Sequence, residues 1–299
     1  MTRYRPGTDK ADRYDAGVVR QRGGVRVQVH LFGVRGSLPT PGAAFLRYGG
    51  NTSCVGIGAG GATPRLLLDF GTGARNLAAQ LDTAPFRGTV LLGHLHWDHI
   101  LAIPFFPPAD RAEARVMLYM PAQGDPLAAL EGPMSPPTFP ISPTALRGDW
   151  SFHALEAGEY DFEGFHVTAL DVPHSGGRTF GYRIEDGRTA MAYISDHSPT
   201  SLGPGPDGLG AYHESAVALA ANADLLIHDS QYTPEEFAAR TDWGHCVWEY
   251  PIALAAHSGT RRVLLTHHDP GHDDAFLDKI ATRLPRSAAL AVEGTVIEL

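Results

Sequence analysis

One short run of polar side chains restricts the fold of this chain more than any other feature. Residues 94–99 read His-Leu-His-Trp-Asp-His and directly follow an apolar, strand-like run at residues 89–92. Because side chains alternate along a strand, two histidines spaced two apart can leave its end pointing the same way. The aspartate and the last histidine then begin a helical turn and point at a second position close by. The segment predicts a strand end that serves two metal positions, with the candidate ligands His94, His96, Asp98 and His99.

The ligand types indicate what kind of metal site this is. Imidazole nitrogens and carboxylate oxygens bind zinc, and a catalytic zinc site leaves one coordination position open for water. A structural zinc site is more often closed with thiolates, and this segment has none. Manganese or iron would also accept this ligand set. The alternative, scattered polar residues in a loop, does not explain four ligand-type residues within six positions.

Length and composition predict a single domain. The chain has 299 residues, of which 43% are hydrophobic. The sequence contains no internal repeat, and residues 25–299 are enough to bury the core of one large α/β domain. Residues 1–24 are charged and form a predicted polar N-terminal tail. This tail contains neither a signal-peptide-like apolar stretch nor an apolar span of about 20 residues, so no secretion or membrane insertion is expected.

Cysteine content and net charge indicate the cellular compartment and the kind of binding partner that are expected. The two cysteines, Cys54 and Cys246, lie far apart in the sequence. They do not form a disulfide framework, which predicts a reducing, cytoplasmic location. The formal net charge is −9. Because proteins whose main partner is nucleic acid usually carry a basic face, this charge argues against nucleic acid as the partner.

Strand signals alternate with helix signals along the chain. The predicted strands are residues 25–31, 54–57, 66–70, 89–92, 116–120, 165–172, 181–184, 189–195 and 263–266. The predicted helices are residues 72–81, 214–223, 247–258 and 273–284, with further helices beginning near Asp125 and Thr233. Five prolines in residues 133–143 predict an ordered loop or lid. Two strand-rich halves flanked by helices predict an α/β fold with two sheets packed face to face and helices outside.

Three further strand ends carry ligand-type residues. Residues 171–174, 194–196 and 264–267 read Asp-Val-Pro-His, Ile-Ser-Asp and Leu-Leu-Thr-His. Loops gather at the carboxyl ends of strands, and functional sites are built there. A single histidine in such a place is more often a hydrogen-bonded structural residue. Together, however, these positions would complete the set that residues 94–99 begin, and the candidates are His174, Asp196 and His267.

With these residues in view, the chain resembles the metallo-β-lactamase superfamily, and within it the phosphodiesterase branch that includes ribonuclease Z and cyclic-phosphate phosphodiesterases. The resemblance extends from Gly33 to about His272, and its most specific part is the His-x-His-x-Asp-His motif at residues 94–99. Asp-Phe-Gly-Thr-Gly at residues 69–73 precedes the motif, and a Gly-His pair at residues 244–245 lies between the last two candidate ligands. The resemblance implies a four-layer αββα sandwich, two divalent metal ions, most often Zn²⁺, and a homodimer.

The same resemblance assigns roles to individual residues. It implies that one ion is held by His94, His96 and His174, the other by Asp98, His99 and His267, with Asp196 bridging them. Two ions about 3.5–4 Å apart can generate hydroxide at neutral pH for attack on a phosphodiester, and Asp98 would orient that metal-bound hydroxide. His245 would stabilise the transition state or protonate the leaving oxygen. A purely structural role is the alternative for His245.

Other polar residues have weaker signals. Arg178 is a candidate substrate-binding residue because a guanidinium matches phosphate oxygens, although a plain surface arginine is an equal alternative. Histidines next to the candidate ligands are expected to orient the ligand rings. These are His197, His228, His268 and His272. The histidines expected to be structural are His30, His153, His166, His213 and His257.

These residues predict an enzyme, a metal-dependent phosphodiesterase acting on a small cyclic phosphodiester such as a cyclic nucleotide. A ribonuclease Z-like tRNA 3′ endonuclease is an alternative, but Cys246 and the His268-Asp269 pair depart from the tRNA-processing pattern. The same fold hydrolyses carboxylic esters, lactones and thioesters, and the Gly-His element at residues 244–245 favours phosphodiesters over these. A non-catalytic binding protein would not need all seven ligand-type residues.

Overall fold

The computed structural model describes residues 26–299. The predicted tail at residues 1–24 lies outside these described residues. Within them the chain forms fourteen strands. The strands are β1 (Val27–Gly33), β2 (Cys54–Ala59), β3 (Leu66–Leu68), β4 (Arg87–Leu91), β5 (Arg115–Pro121), β6 (Asp149–Leu155), β7 (Gly158–Phe162), β8 (Phe165–Asp171), β9 (Phe180–Glu185), β10 (Ala190–Ile194), β11 (Leu225–Asp229), β12 (Val263–Thr266), β13 (Ala288–Leu290) and β14 (Val296–Glu298).

The strands build two mixed sheets of seven strands each. The first sheet has the order β14-β1-β2-β3-β4-β5-β6, and the second has the order β13-β12-β11-β10-β9-β8-β7. In the first sheet β3, β4, β5 and β6 run parallel, and in the second β10, β11, β12 and β13 do so. The remaining neighbours pair antiparallel. The carboxyl ends of the parallel strands therefore meet along one edge of each sheet.

Seven α-helices accompany the sheets within the described residues. They are α1 (Ala74–Leu81), α2 (Trp97–Ile100), α3 (Pro126–Glu131), α4 (Glu214–Ala220), α5 (Pro234–Phe237), α6 (Glu249–Ser258) and α7 (Asp274–Ala281). Two helix ends follow their sequence signals. The Asp125 side chain accepts a hydrogen bond from the Ala128 amide at the start of α3, and α6 ends at Gly259 with a left-handed φ of 75°. None of the helices between residues 26 and 299 is long and apolar enough to cross a membrane.

Apolar side chains fill three layers between these elements. Leu66 and Leu68 face the second sheet, whereas Leu67, between them, packs on the outer face. Tyr193 lies in the core between the sheets, while its neighbour Ile194 packs outward against α4 and α6. Strands buried on both faces read as continuous apolar runs, because neither side meets water. The helix, sheet, sheet and helix layers confirm the predicted four-layer α/β sandwich.

Most predicted elements are present, with ends displaced by a few residues. Strands β6, β7, β11, β13 and β14 were not predicted. Strand β11 is wholly buried, with no polar-apolar alternation to distinguish it from a buried helix. The proline-rich segment at residues 133–143 is an ordered loop, as predicted. Its Phe139 ring packs edge-on against Phe105, with 5.6 Å between ring centroids.

Candidate metal centre

The predicted ligands come from four loops that follow strand ends. The segment at residues 94–99 leaves β4 and enters α2, which begins at Trp97. His174 follows β8, Asp196 follows β10, and His267 follows β12. Since these ends meet at one edge of the sandwich, residues more than 150 positions apart in sequence come together. The structure thus brings all seven predicted ligands into one cluster.

The first ligand group combines three imidazoles with one carboxylate. One donor atom from each of its members lies within 4.8 Å of the others. The His94 and His174 Nε2 atoms each lie 3.6 Å from Asp196 Oδ2. The His174 Nε2 atom is 3.3 Å from His96 Nδ1. The group consists of His94, His96, His174 and Asp196.

The second ligand group lies directly beside the first. Asp98 Oδ2 is 3.1 Å from the Nε2 atoms of both His99 and His267. Asp196 is shared between the groups. Its Oδ1 lies 3.1 Å from His99 Nε2, and its Oδ2 lies 3.6 Å from the Nε2 atoms of His94 and His174 and 3.5 Å from His267 Nε2. A carboxylate that faces histidines of both groups has the arrangement of a bridging ligand.

Unpartnered polar atoms show that this cluster fits metal ions. His94 is 2% exposed, and neither of its ring nitrogens has a hydrogen-bond partner. Asp196 Oδ1 is likewise buried without a hydrogen-bond partner. A buried polar group without a partner is costly, and such groups in native proteins usually pair or coordinate metals. Burial lowers the pKa of His94 well below its usual value, and neighbouring His99 lowers it further, so the ring is neutral and able to bind a metal.

The carboxylates of the cluster attract positive charge. Burial alone would raise the pKa of Asp196, but His267 and His99 hold it well below its usual range. Burial alone would lower the pKa of His267, but Asp196 and Asp98 raise it to about 9. The field that favours a proton on this buried imidazole also favours a cation among these ligands. Two divalent ions would replace such protons, because metal binding displaces protons from ligand imidazoles.

A further set of contacts orients the ligand rings. Asp69 Oδ2 lies 2.8 Å from His99 Nδ1, and its other oxygen accepts a hydrogen bond from the Gly93 amide. His267 Nδ1 donates to the Gln231 side-chain oxygen at 2.8 Å. Such partners fix the tautomer and the orientation of a metal-binding imidazole. They leave Nε2 of His99 and of His267 facing the carboxylates of the cluster.

His245 lies over the ligand groups without being part of the predicted ligand set. Its Nδ1 is 3.0 Å from Asp229 Oδ2 and 3.9 Å from Asp196 Oδ2. Asp229 also accepts a hydrogen bond from the His197 amide, which fixes the carboxylate. Gly244, just before His245, has a positive φ of 87° and lies against the His174 ring, so a side chain at this position would collide with a ligand.

A cavity of about 330 Å³ opens at the centre. Its walls combine donors from both ligand groups with an apolar surface that includes Trp97, which is 71% exposed. The lining residues are Ser37, Leu95, His96, Trp97, Asp98, Asp196, His245 and His267. The cavity gives a small ligand access to His245 and to members of both metal groups.

Arg178 is the one predicted site residue that belongs neither to the ligand groups nor to the cavity lining. Its guanidinium forms two hydrogen bonds with Asp171, at 2.6 and 3.0 Å, and one of 2.6 Å with Glu156. It also lies over the Phe180 ring. These partners occupy the donors that a phosphate would otherwise use, so substrate binding by Arg178 requires that the ion pairs open.

Sequence reasoning assigned no role to three residues of the centre. Asp69, Asp229 and Gln231 hold ligands or His245 in place, yet none belongs to the His-x-His-x-Asp-His motif. Asp229 is the last residue of β11, a strand that was not predicted. Its position is similar to that of Asp196, which lies two residues after the end of β10. An acidic residue closing a buried strand was the available signal.

The two-sheet sandwich and the paired His/Asp groups define the class of protein as a metal-dependent hydrolase. The family model described as "Beta-lactamase superfamily domain" matches residues 65–268. The chain belongs to this superfamily.

Known proteins are similar over most of the chain. The ribonuclease Z of Exiguobacterium sibiricum is 26% identical over 222 residues, which cover 60% of this chain and 70% of that protein. The ribonuclease Z of a Synechococcus strain is 26% identical and covers 82% of this chain and 85% of its own length. The metallo-beta-lactamase fold protein YhfI from Bacillus subtilis superposes with a TM-score of 0.68 at 21% identity, covering 92% of this chain and 100% of that chain. The predicted metallo-β-lactamase fold is confirmed.

Proposed function

We propose that this protein is a dinuclear metal-dependent phosphodiesterase that hydrolyses a small phosphodiester, a cyclic nucleotide being the favoured substrate. The observation that carries the proposal is the shared Asp196, whose two oxygens lie within 3.6 Å of histidines from both ligand groups. Two adjacent metal positions suit an in-line displacement at phosphorus, in which both the attacking and the leaving oxygen need stabilisation.

Different residues would bind the metal ions, orient the attacking water and transfer a proton. The first group, with His94, and the second group, with His99, would hold the two ions. When bound, such ions lower the pKa of water and stabilise negative charge on phosphoryl oxygens. Asp98 is fixed by the Ser37 amide, which donates to Oδ2 at 2.8 Å, and it orients the attacking water. Zinc suits this donor set best, and manganese or iron would also fit.

His245 supplies the proton-transfer group. Asp229 accepts from Nδ1, so proton donation requires the doubly protonated imidazolium, whose Nε2–H can give its proton to the leaving oxygen and leave a neutral ring with its hydrogen on Nδ1. This role resembles that of an imidazole held by a carboxylate in other hydrolases, where the carboxylate fixes the tautomer and the orientation.

The size and charge of the cavity favour a small substrate. Its volume of about 330 Å³ is at the lower end for small-molecule sites. Among the described residues, no lysine or arginine lines it. A polynucleotide would require cations along the path of its backbone.

The deciding experiment is the hydrolysis of bis(p-nitrophenyl) phosphate by the purified protein. Activity is measured as isolated, after chelation, and after zinc or manganese is restored. We expect turnover that chelation removes and metal restores. A protein that holds two metal ions per chain but cleaves only carboxylic esters, lactones or thioesters would refute the proposal.

A ribonuclease Z-like tRNA 3′ endonuclease is a second candidate, favoured by the ribonuclease Z relatives at 26% identity. A precursor tRNA with a 3′ trailer separates the two. Cleavage of this RNA at rates well above those for cyclic nucleotides would favour the endonuclease.

A further inference from the structure

A second cavity lies directly beside the metal centre and has a different character. It measures about 320 Å³ and borders His174 and Gly244. We name it the hydroxyl cavity, because its remaining walls consist almost entirely of side chains that carry oxygen. These residues are Ser175, Ser198, Thr200, Ser201, Thr241 and Asp242.

The oxygen atoms of the hydroxyl cavity are free to bind a ligand. None of these six side chains forms a hydrogen bond or an ion pair with any residue in the 26–299 range. The cavity contains five hydroxyl groups and one carboxylate, and no lysine or arginine of the described part of the chain lines it. Such a surface pairs with neutral hydroxyl groups, and its carboxylate repels a second phosphate.

An exposed aromatic residue lies in the chain between Asp242 and Gly244, which both line the hydroxyl cavity. Trp243 follows Asp242 and is 59% exposed, while the Arg240 guanidinium lies 5.5 Å from its ring centroid. Nucleobases stack on such exposed rings with little sequence preference. An acidic side chain that accepts hydrogen bonds from a ribose is a recurrent device in nucleotide-binding proteins.

We propose that the hydroxyl cavity binds the ribose of a nucleoside phosphodiester, with Asp242 accepting from the 2′-hydroxyl and Trp243 stacking on the base. This inference rests on the proposed phosphodiesterase function and names its substrate class. The phosphate then lies over the ligand groups next to His174, and the protein distinguishes ribonucleotides from 2′-deoxyribonucleotides.

The test measures binding, so that it does not depend on turnover. Calorimetric titration compares adenosine 5′-monophosphate with its 2′-deoxy analogue on the zinc-loaded protein. We expect the ribonucleotide to bind about tenfold more tightly, as a charge-assisted hydrogen bond allows. Asp242→Ala should abolish this preference, and Asp242→Asn, which keeps an acceptor oxygen, should retain part of it. Glu235→Ala, which removes an exposed carboxylate elsewhere, should leave it unchanged.

The tryptophan is tested separately. Trp243→Ala should weaken the binding of both nucleotides about equally, by about tenfold, whereas Trp243→Phe should retain most of the affinity. Equal affinity of the wild-type protein for the two nucleotides would overturn the inference, as would an undiminished preference in Asp242→Ala. Hydrolysis of bis(p-nitrophenyl) phosphate is followed in parallel. A ribose preference without any diesterase activity would refute the proposed function while supporting the ribose site.

Discussion

Two groups of buried histidines lie side by side in this protein, and they differ in how their nitrogens are paired. The metal centre contains His94, where neither ring nitrogen has a hydrogen-bond partner. The other group, which we name the histidine chain, consists of His213, His197 and His228. His197 uses both ring nitrogens, with Nε2 2.8 Å from His213 Nδ1 and Nδ1 3.0 Å from His228 Nε2. Three rings of the metal centre, those of His94, His99 and His267, are almost fully buried, as are all three rings of the histidine chain.

The direction of the hydrogen bonds in the histidine chain follows from its last acceptor. His228 Nδ1 lies 2.7 Å from the Asp229 carbonyl oxygen, which can only accept, so Nδ1 carries the hydrogen. His228 Nε2 must then accept from His197, and His197 Nε2 must accept from His213. All three rings are neutral, and burial lowers the pKa of each.

This difference shows what makes a histidine cluster a metal site. Both groups contain buried rings, but only the metal centre has carboxylates facing its imidazoles, and both nitrogens of its His94 are unpaired. In the histidine chain, hydrogen bonds already use five of the six ring nitrogens, and the sixth is His213 Nε2. The metal centre should therefore affect activity, and the histidine chain should affect stability.

The largest expected effect comes from the shared carboxylate. Asp196→Asn should bind less metal and lose activity by more than about 100-fold, exceeding the loss typical of residues that only orient ligands. Metal analysis and bis(p-nitrophenyl) phosphate hydrolysis check this, and circular dichroism should show an intact fold. Asp161→Asn, at an exposed position, is the control. Full turnover and full metal content in Asp196→Asn would refute the bridging assignment.

His245 should separate catalysis from metal binding. In His245→Asn the amide can still donate to Asp229, but no second nitrogen remains to transfer a proton. We expect kcat for hydrolysis of a cyclic nucleotide to fall about 100-fold or more, with the metal content unchanged. Loss of metal together with activity would instead make His245 a ligand.

The histidine chain should respond in the opposite way. His228→Leu leaves the buried His197 Nδ1–H without its acceptor and removes one of two donors to the Asp229 carbonyl, so the free energy of unfolding should fall by about 1–3 kcal/mol. The metal content should remain that of the wild type. Urea denaturation measures the change, with the exposed His257→Leu as control. If His228→Leu lost as much metal as Asp196→Asn, the histidine chain would also be required for metal binding, and the distinction between the two groups would be wrong.

The smallest effect is a dependence of stability on pH. His228 has a lowered pKa in the folded protein, so below about pH 6.5 the unfolded chain binds a proton there that the folded chain does not. Stability therefore decreases as the pH falls, by at most about 1.4 kcal/mol per pH unit for this residue. In His228→Gln the decrease between pH 6.5 and 5 should be smaller than in the wild type. Equal slopes in denaturation series would show that His228 is protonated in the folded state.

Local sequence patterns were sufficient to predict most helices and strands and to nominate every candidate ligand. The order His94, His96, Asp98 and His99 after an apolar strand is a local pattern. The strand ends near His174, Asp196 and His267 can each be recognised from the neighbouring sequence alone. Strand β11 was missed because a strand buried on both faces has no alternation. The cytoplasmic location and the homodimer remain predictions.

The sequence by itself determined which residue types stand at strand ends, because turns and apolar periodicity are local properties of the chain. Only the tertiary structure decided which histidines meet carboxylates and which meet each other. His197 and Asp196 are adjacent in sequence, yet one belongs to the histidine chain and the other to the metal centre. The physical reason is that successive residues at a strand end point to opposite faces, and the second sheet and its helices place different partners on each face.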